Sequence, residues 1–300
     1  MPNHYKISPT AWVAAMMRAD YTEIPFTKEI GKAMSRFHTP FSATILYGLL
    51  NFFIKKRPQK MLVVTTAEGR YLSTESALPA DGNFVLLELG AGLSPRGLNH
   101  AANKTLVIES DLPEVMSYKE PLLDAIYSDI NKSGKRPSNH ILMNIDVLQR
   151  EDLSAAGEIY KKQGKKKPLY IVNEGVSVYF TNEEKDIFRD NIAWFLQTYA
   201  PGRGVWLCTD LIPFEEKAQS GPIRMISKLL EKFTKRKIEH FKSHEDTRNY
   251  LAKSNLKGVP VSSKGLIAQL TCLEKMGLTA DDVKGVSDQY VPYRVESSKR

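Results

Sequence analysis

From about residue 84 onward, short apolar runs alternate with longer amphipathic segments, and this pattern is the strongest constraint on the fold. The runs are apolar throughout, as in strands that helices cover on both faces of a sheet. Five segments have this character: residues 84–89, 105–109, 141–144, 169–173 and 205–209. The sequence therefore predicts an α/β fold with a mostly parallel sheet that helices cover on both faces.

Helices are predicted before and between these strands. The clearest follows the fourth strand, where Thr181 and Glu184 form a capping box ahead of apolar residues at helical spacing. A second pattern, over residues 223–242, has apolar residues on one face and lysines mostly on the other, which predicts a lid after the fifth strand. The apolar run 41–54 is interpreted as a buried helix.

The order of these patterns predicts how the chain is organised. We expect a helical cap over residues 1–80, a cofactor-binding core over 81–215, a helical insertion over 216–255, and a segment over 256–300 that completes the core sheet. A chain of 300 residues is long enough for one large domain of this kind or for two small ones.

A glycine-rich turn follows the first predicted strand. Gly90 and Gly92 lack a Cβ, so a ligand can approach the backbone closely there. A dinucleotide-binding fingerprint requires a third glycine where this chain has Pro95, which argues against NAD. Glu88, just ahead of the turn, would repel a pyrophosphate but suits a cofactor with an ammonium and a sulfonium group. S-adenosylmethionine (SAM) is such a cofactor.

Acidic residues follow the ends of the other predicted strands. Glu109 and Asp111 come at the end of the second strand, and either could accept hydrogen bonds from ribose hydroxyls. Asp146 follows the third strand, where it could accept the adenine amino group or cap a helix. Glu174 follows the fourth strand. Because parallel strands present their carboxyl ends at one edge of a sheet, Glu174 is expected in the same crevice as Gly90.

Segments along most of the chain resemble the leucine carboxyl methyltransferase and tetracenomycin-type polyketide O-methyltransferase family, within the class I SAM-dependent methyltransferases. The matching segments are residues 7–19, 87–98, 109–113, 144–148 and 173–180. The first is similar to the family's N-terminal helix pattern Ser/Thr-Ala-x-x-x-Ala-x-x-Arg-Ala. The resemblance implies the Rossmann-like class I methyltransferase fold, with a mostly parallel sheet of seven strands and a reversed strand near the C-terminus at about residues 289–295.

The resemblance also implies how individual residues bind SAM. It places Asp111, rather than Glu109, on the ribose, and it places Asp146 and Val147 near the adenine. The Ser-Pro-Arg-Gly form of the turn differs from the family's common Asp-Thr-Arg form, so Arg96 is interpreted as a local variant without a catalytic role.

For the methionine part of SAM, the resemblance implies contacts with Gly90 and Gly92 and places Glu174 near the amino acid group. Arg18, in the N-terminal helix, would hold the SAM carboxylate. Arg70 would help, although its surroundings match the family pattern only loosely.

The expected reaction is in-line attack of a substrate oxygen on the methyl group of SAM. A carboxylate on a small organic acid or polyketide-like molecule is the expected acceptor, because it is deprotonated at neutral pH and the net charge of +8 suits an anionic substrate. A phenol would require a base, for which Asp210, after the fifth strand, is the candidate.

Two alternatives stay open at this stage. The net charge also suits a nucleic-acid methyltransferase, although the fourth strand ends in Asn-Glu-Gly-Val rather than the Asn/Asp-Pro-Pro-Tyr pattern of base-amine methyltransferases. The other is a protein of the same fold that binds SAM without catalysis. The oligomeric state is not predicted.

Other chemistries find little support. Cys208 and Cys272 are far apart, which disfavours a disulfide framework and suits a reducing cytoplasm. His240 and His244 are four residues apart, but the segment lacks the glutamate of a zinc-protease motif, so we interpret it as a solvated helix face without metal. The chain shows no secretory signal, and its longest apolar run is shorter than the ~18 residues of a membrane span, so no membrane partner is expected.

Overall fold

A computed structural model describes residues 8–37, 40–56, 58, 62–131, 133–213, 228, 231, 236–237, 239–262 and 264–298. In this part of the chain, helices flank a sheet of seven strands. The strands are β1 (Val85–Leu89), β2 (Leu106–Asp111), β3 (His140–Asn144), β4 (Leu169–Asn173), β5 (Gly204–Cys208), β6 (Leu256–Pro260) and β7 (Tyr293–Ser297). Their order across the sheet is β3-β2-β1-β4-β5-β7-β6.

The sheet is mixed rather than purely parallel. Strands β3, β2, β1, β4 and β5 are parallel, whereas β7 runs antiparallel to both β5 and β6. The predicted α/β sheet of seven strands, including a reversed strand near the C-terminus, is thus confirmed. Strand β6 was not predicted, because at the sheet edge only its first residue, Leu256, is buried and its sequence lacks an apolar pattern.

Helices precede and alternate with the strands. They are α1 (Ser8–Tyr21), α2 (Thr27–Met34), α3 (Phe41–Lys56), α4 (Val63–Ser76), α5 (Arg96–Ala102), α6 (Pro113–Ile130), α7 (Arg150–Ile159), α8 (Asn182–Tyr199), α9 (His244–Ala252), α10 (Cys272–Met276) and α11 (Ala280–Val283). The predicted helical character of the first 80 residues is confirmed by α1 to α4. The predicted capping box of α8 is also present, between Thr181 and Glu184.

Two helical predictions need correction or stay open. Most of the predicted lid over residues 223–242 lies outside the described residues. Residues 239–241, which the pattern included in that helix, are not helical, and α9 begins only at His244, where the Ser243 side chain caps it. Helix α3, predicted to be buried, is buried on one face only, and Phe41 and Phe52 on its other face are exposed.

The core lies on both faces of the sheet. On one face, buried residues of β1, β2, β4 and β5 pack with Leu78, Phe84 and Ala101. Helices α1 to α4 form a separate cluster with α6 and with the C-terminal segment that contains α10. On the other face, α7 and α8 cover the strands. All five residues of β1 and all five of β4 are buried, as expected for central strands covered on both sides. Among the described helices, none is both long and apolar enough to cross a membrane. The boundaries of the cap, core and insertion stay predictions.

Candidate cofactor site

A cavity of about 280 Å³ lies at the carboxyl edge of the parallel strands. Helices α1 and α4 form its outer wall, and the loops after β1, β2, β3 and β4 form its floor. Most of the site residues named from the sequence line this cavity: Arg18, Arg70, Glu88, Gly90, Gly92, Asp111, Asp146, Val147 and Glu174. Glu109 and Asp210 do not. The parallel register explains the convergence, because it aligns the ends of β1, β2 and β4.

The glycine turn after β1 brings backbone to the cavity surface. Gly90 and Gly92 have φ angles of 63° and 48°, a region that side chains disfavour. A Cβ on Gly90 would lie 2.3 Å from the Cγ2 atom of Val176, in the loop after β4. The two loops therefore pack so closely that only glycine fits at position 90.

Asp111 stands at the end of β2, beside this turn. Its Oδ2 atom accepts a hydrogen bond from the Gly92 amide at 2.7 Å, and its Oδ1 atom accepts one from the Leu112 amide at 2.8 Å. Each carboxylate oxygen can accept a further bond. Burial raises the pKa of Asp111, and the two amide bonds oppose that shift.

Glu109, two residues earlier, lies away from the cavity. Its fully buried carboxylate accepts hydrogen bonds from Lys119 Nζ at 2.7 Å and His140 Nε2 at 2.6 Å. Burial alone would raise its pKa, but Lys119 and His140 lower it to about 2. The side chain packs so tightly under α5 that a Cβ on Gly97 would lie 2.1 Å from its Cδ atom. Of the two acids proposed for the ribose, only Asp111 faces the cavity.

Two arginines and two glutamates form a charged cluster at the other end of the cavity. The Arg18 guanidinium lies 2.6 Å from Glu174 Oε1. The Arg96 guanidinium lies 2.5 Å from Glu88 Oε1 and 3.3 Å from Glu174 Oε2. Burial raises the pKa of Glu88, while Arg96 opposes this shift. Arg96 thus holds both carboxylates in place at the cavity wall.

Arg96 is the residue that sequence reasoning undervalued. Its side chain is 1% exposed, it also contacts Glu75 Oε1 at 2.8 Å, and its guanidinium lies 4.6 Å from the centre of the Tyr71 ring. A buried guanidinium requires several carboxylate or aromatic partners. The sequence did contain a signal for this role. Glu88 lies in a strand that was predicted to be buried, and a buried carboxylate needs a positively charged partner.

Three polar atoms at the cavity wall have no hydrogen-bond partner within the described part of the chain. They are Nε of Arg18, Nε of Arg70 and Oε2 of Glu88. Buried polar atoms are nearly always bonded, so unpaired ones around a cavity indicate a place for a polar ligand. Two are donors and one is an acceptor, which fits a ligand that carries both a carboxylate and an ammonium group.

Asp210 has a different place from the one the sequence analysis considered. Its Oδ1 atom accepts the Gly175 amide at 2.8 Å, and its Oδ2 atom accepts the amides of Val176 and Ser177, each at 2.8 Å. These bonds fold the loop after β4, which carries Glu174 at its start. Asp210 therefore shapes the cavity wall from behind, and its carboxylate is occupied by backbone donors rather than directed at a substrate.

His240 and His244 do not form a solvated helix face, because the helix begins only at His244. His244 Nδ1 lies 2.6 Å from the Tyr293 hydroxyl. His240 precedes the helix. Burial and, to a smaller extent, the nearby charge of Arg70 lower the pKa of His240 to about 4, while Asp210 opposes this shift. Among the described residues, no group of three or more His, Cys, Asp or Glu side chains could hold a metal ion.

Fold and cavity together define a Rossmann-like α/β protein with a cavity lined by charged residues at the carboxyl edge of its sheet. No protein-family model matches the chain, and neither does any curated protein. Similar solved structures include a DUF574 family protein from Streptomyces avermitilis, with 13% identity, 95% of each chain covered and a TM-score of 0.46. A putative methyltransferase from Thermobifida fusca has 12% identity over 97% of this chain and 94% of its own, with a TM-score of 0.46.

A third similar structure is magnesium protoporphyrin IX methyltransferase from Synechocystis with bound S-adenosylhomocysteine (SAH). It has 14% identity over 93% of this chain and 96% of its own, with a TM-score of 0.39. Such distant likenesses concern general architecture, and they assign no activity to this chain.

Proposed function

We propose that this cavity binds SAM and that the chain is a SAM-dependent O-methyltransferase. One observation carries the proposal. Two donors and one acceptor without hydrogen-bond partners lie together at one end of the cavity, and Asp111 and Asp146 lie at the other end. SAM has an amino acid group at one end and adenosine at the other. It therefore needs both kinds of partner, at opposite ends of one site.

At the adenosine end, Asp111 supports the proposal best. Its carboxylate is held rigidly by two backbone amides and keeps acceptor capacity for ribose hydroxyls. Asp146 lines the cavity in the loop after β3 and is the proposed acceptor for the adenine amino group, with Val147 beside the ring.

At the methionine end, the charges are balanced before a ligand binds. Arg18 and Glu174 pair with each other, and Glu88 pairs with Arg96. In the proposed complex, Glu88 and Glu174 accept hydrogen bonds from the ligand's ammonium group, while Arg18 and Arg70 donate hydrogen bonds to its carboxylate. Charged hydrogen bonds of this kind are the stronger class.

Bound SAM supplies an electrophilic methyl group, and the chain supplies binding, orientation and the exclusion of water. Alignment of this kind can contribute much of the barrier reduction without a covalent intermediate. A carboxylate acceptor needs no general base, because it is ionised at neutral pH. The occupied carboxylate of Asp210 is consistent with such an acceptor.

The test of this function is transfer of a radiolabelled methyl group from SAM to a panel of small carboxylic acids, phenols and RNA. We expect a base-labile methyl ester from an acid of the panel. A stable aryl ether would shift the proposal to phenols, and labelled RNA would support the nucleic-acid alternative. SAM binding without turnover on any substrate class would indicate a binding protein.

Substitution of Asp111 with asparagine is expected to weaken SAM binding by about 10- to 150-fold, the loss of about 1.5–3 kcal/mol for a bond to a charged acceptor. Calorimetric titration measures this change. The control is Glu120→Gln, which removes the same charge from an exposed ion pair with Arg136. Equal affinities for Asp111→Asn and the control protein would contradict the assignment.

Substitution of Arg96 with lysine is expected to weaken SAM binding by about tenfold or more, although Arg96 itself is a positioning residue. A lysine ammonium keeps the charge but cannot hold three carboxylates at once. The matched control is Arg36→Lys at an exposed pair with Asp129, which should leave the affinity unchanged. The affinity and the melting temperature are measured together. A folded Arg96→Lys protein with normal affinity would show that the cluster does not orient Glu88 and Glu174.

A further inference from the structure

Helix α3 is apolar on two opposite faces. One face is buried against the neighbouring helices and includes Ala43, Leu46, Tyr47, Leu50 and Ile54. On the other face, Phe41 is 77% exposed, Ile45 47% and Phe52 56%. We call Phe41, Ile45 and Phe52 the α3 ridge. Burial of one face explains why that face of the helix is apolar, but it does not explain why the exposed ridge is apolar as well.

The ridge residues lie along a single line of the helix. At about 100° per residue, positions 41, 45, 48 and 52 fall within a narrow sector. Gly48 lies between them, and a Cβ there would have no atom within 4 Å, so the line is open to solvent along its length. The other exposed large apolar residues in the described part of the chain are scattered over α6, α8 and β6: Tyr118, Ile130, Ile187 and Val259. A contiguous patch of this kind commonly marks an interaction site.

The charged residues of α3 have one sign. Lys55 and Lys56 lie on either side of the line at the C-terminal end of α3, and both are exposed. Neither forms an ion pair within the described part of the chain, and α3 contains no acidic residue. Aromatic and aliphatic side chains bordered by lysines are typical of helices that lie in a membrane interface.

We propose that the α3 ridge docks this protein on an anionic lipid surface. The ridge side chains enter the boundary between headgroups and acyl chains, and Lys55 and Lys56 contact the lipid phosphates. Docking of this kind needs no membrane-spanning helix, so it is compatible with the absence of a span from the described helices. It revises the expectation that no membrane is a partner.

A lipid surface fits these observations better than a second copy of the chain does. An isologous contact would place two copies of α3 together, and the helix has no acidic residue to pair with the partner's lysines. The net charge of +8 also favours an anionic surface over self-association. Next along the chain, α4 contributes Thr66 and Arg70 to the cavity, so the docking face is one helix removed from the proposed site.

The test is co-sedimentation of the full chain with vesicles of phosphatidylcholine alone or of phosphatidylcholine with phosphatidylglycerol. We expect binding to the anionic vesicles, with the partition coefficient reduced at least about tenfold by Phe41→Ser combined with Phe52→Ser. Lys55→Gln combined with Lys56→Gln should lower it by about fivefold per lysine. Salt should weaken the binding of the wild-type chain.

The matched control is Ile187→Ser combined with Val259→Ser, which removes two exposed apolar side chains elsewhere and should leave vesicle binding unchanged. Circular dichroism shows whether each variant is folded. Failure of the wild-type chain to bind anionic vesicles would overturn the proposal. Equal loss in the ridge and control variants would overturn it too. So would light scattering that shows a dimer which the ridge variant converts to monomer.

Discussion

Replacement of Gly90 with valine is expected to abolish measurable SAM binding, with a loss of at least about 100-fold in affinity. Two effects act together. The φ angle of 63° strains any residue with a side chain, and most of all a β-branched one. The new Cβ would also lie 2.3 Å from Val176 Cγ2, so the loop after β4 would have to move away from the turn. Calorimetric titration with SAM measures the loss.

A matched control separates the strain from the contact. Gly202 has a φ angle of 67°, no atom within 4 Å of a would-be Cβ, and no place in the cavity. Gly202→Val should therefore lower stability through the backbone alone and leave SAM affinity unchanged. Normal SAM affinity in a folded Gly90→Val protein would show that the turn does not touch the cofactor.

Substitution of Glu109 with glutamine is expected to lower the free energy of unfolding by about 3–5 kcal/mol at neutral pH, the range for breaking one side of a buried ion pair. The change leaves the Lys119 side chain, which is 1% exposed, without its carboxylate partner. Urea unfolding measures the loss. The control, Glu158→Gln, breaks an exposed pair with Lys161 and should change stability by less than about 1 kcal/mol.

The same pair predicts a pH dependence. The folded pKa of Glu109 is about 2, below its ordinary value of 4.5, so its contribution is complete above pH 4.5 and is lost as the pH falls towards 2. The difference in stability between the wild type and Glu109→Gln should therefore shrink over this interval. A difference that stays constant between pH 4.5 and 2 would mean that the carboxylate is not selectively stabilised in the folded state.

The sheet could be predicted because buried strands leave a direct trace in sequence. Apart from Glu88 and Asn173, the residues of β1 and β4 are apolar, so burial on both faces is visible as a nearly continuous apolar run. Edge strands leave no such trace. Strand β6 has the sequence Leu-Lys-Gly-Val-Pro with one buried residue, and its place depends on pairing with β7 rather than on its own pattern.

Much of the candidate site was also predictable, because parallel strands bring their carboxyl ends together whatever the details of packing. Which of two neighbouring acids faces the cavity did not follow from their spacing, and only the family resemblance favoured Asp111. Glu109 and Asp111 are both at the end of β2, and only the positions of Lys119 and His140 show that Glu109 is used elsewhere. The place of Asp210 depends likewise on how the loop after β4 folds over it.

Arg96 shows a further limit of sequence reasoning. A departure from a family motif suggested a local variant, whereas the structure makes Arg96 the partner of three carboxylates. Two of these, on Glu75 and Glu174, are far from Arg96 in sequence, and no spacing rule connects them. Long-range charge pairing of this kind is visible only after the chain is folded.

The central claim, that the cavity at the carboxyl edge of the sheet binds SAM, is tested most directly by a crystal structure of the chain with SAH. We expect the ribose hydroxyls to bond the Asp111 carboxylate and the adenine to lie beside Asp146. The SAH ammonium should contact Glu88 or Glu174, with its carboxylate on Arg18 or Arg70. SAH bound outside this cavity, or bound with its two ends reversed, would contradict the account.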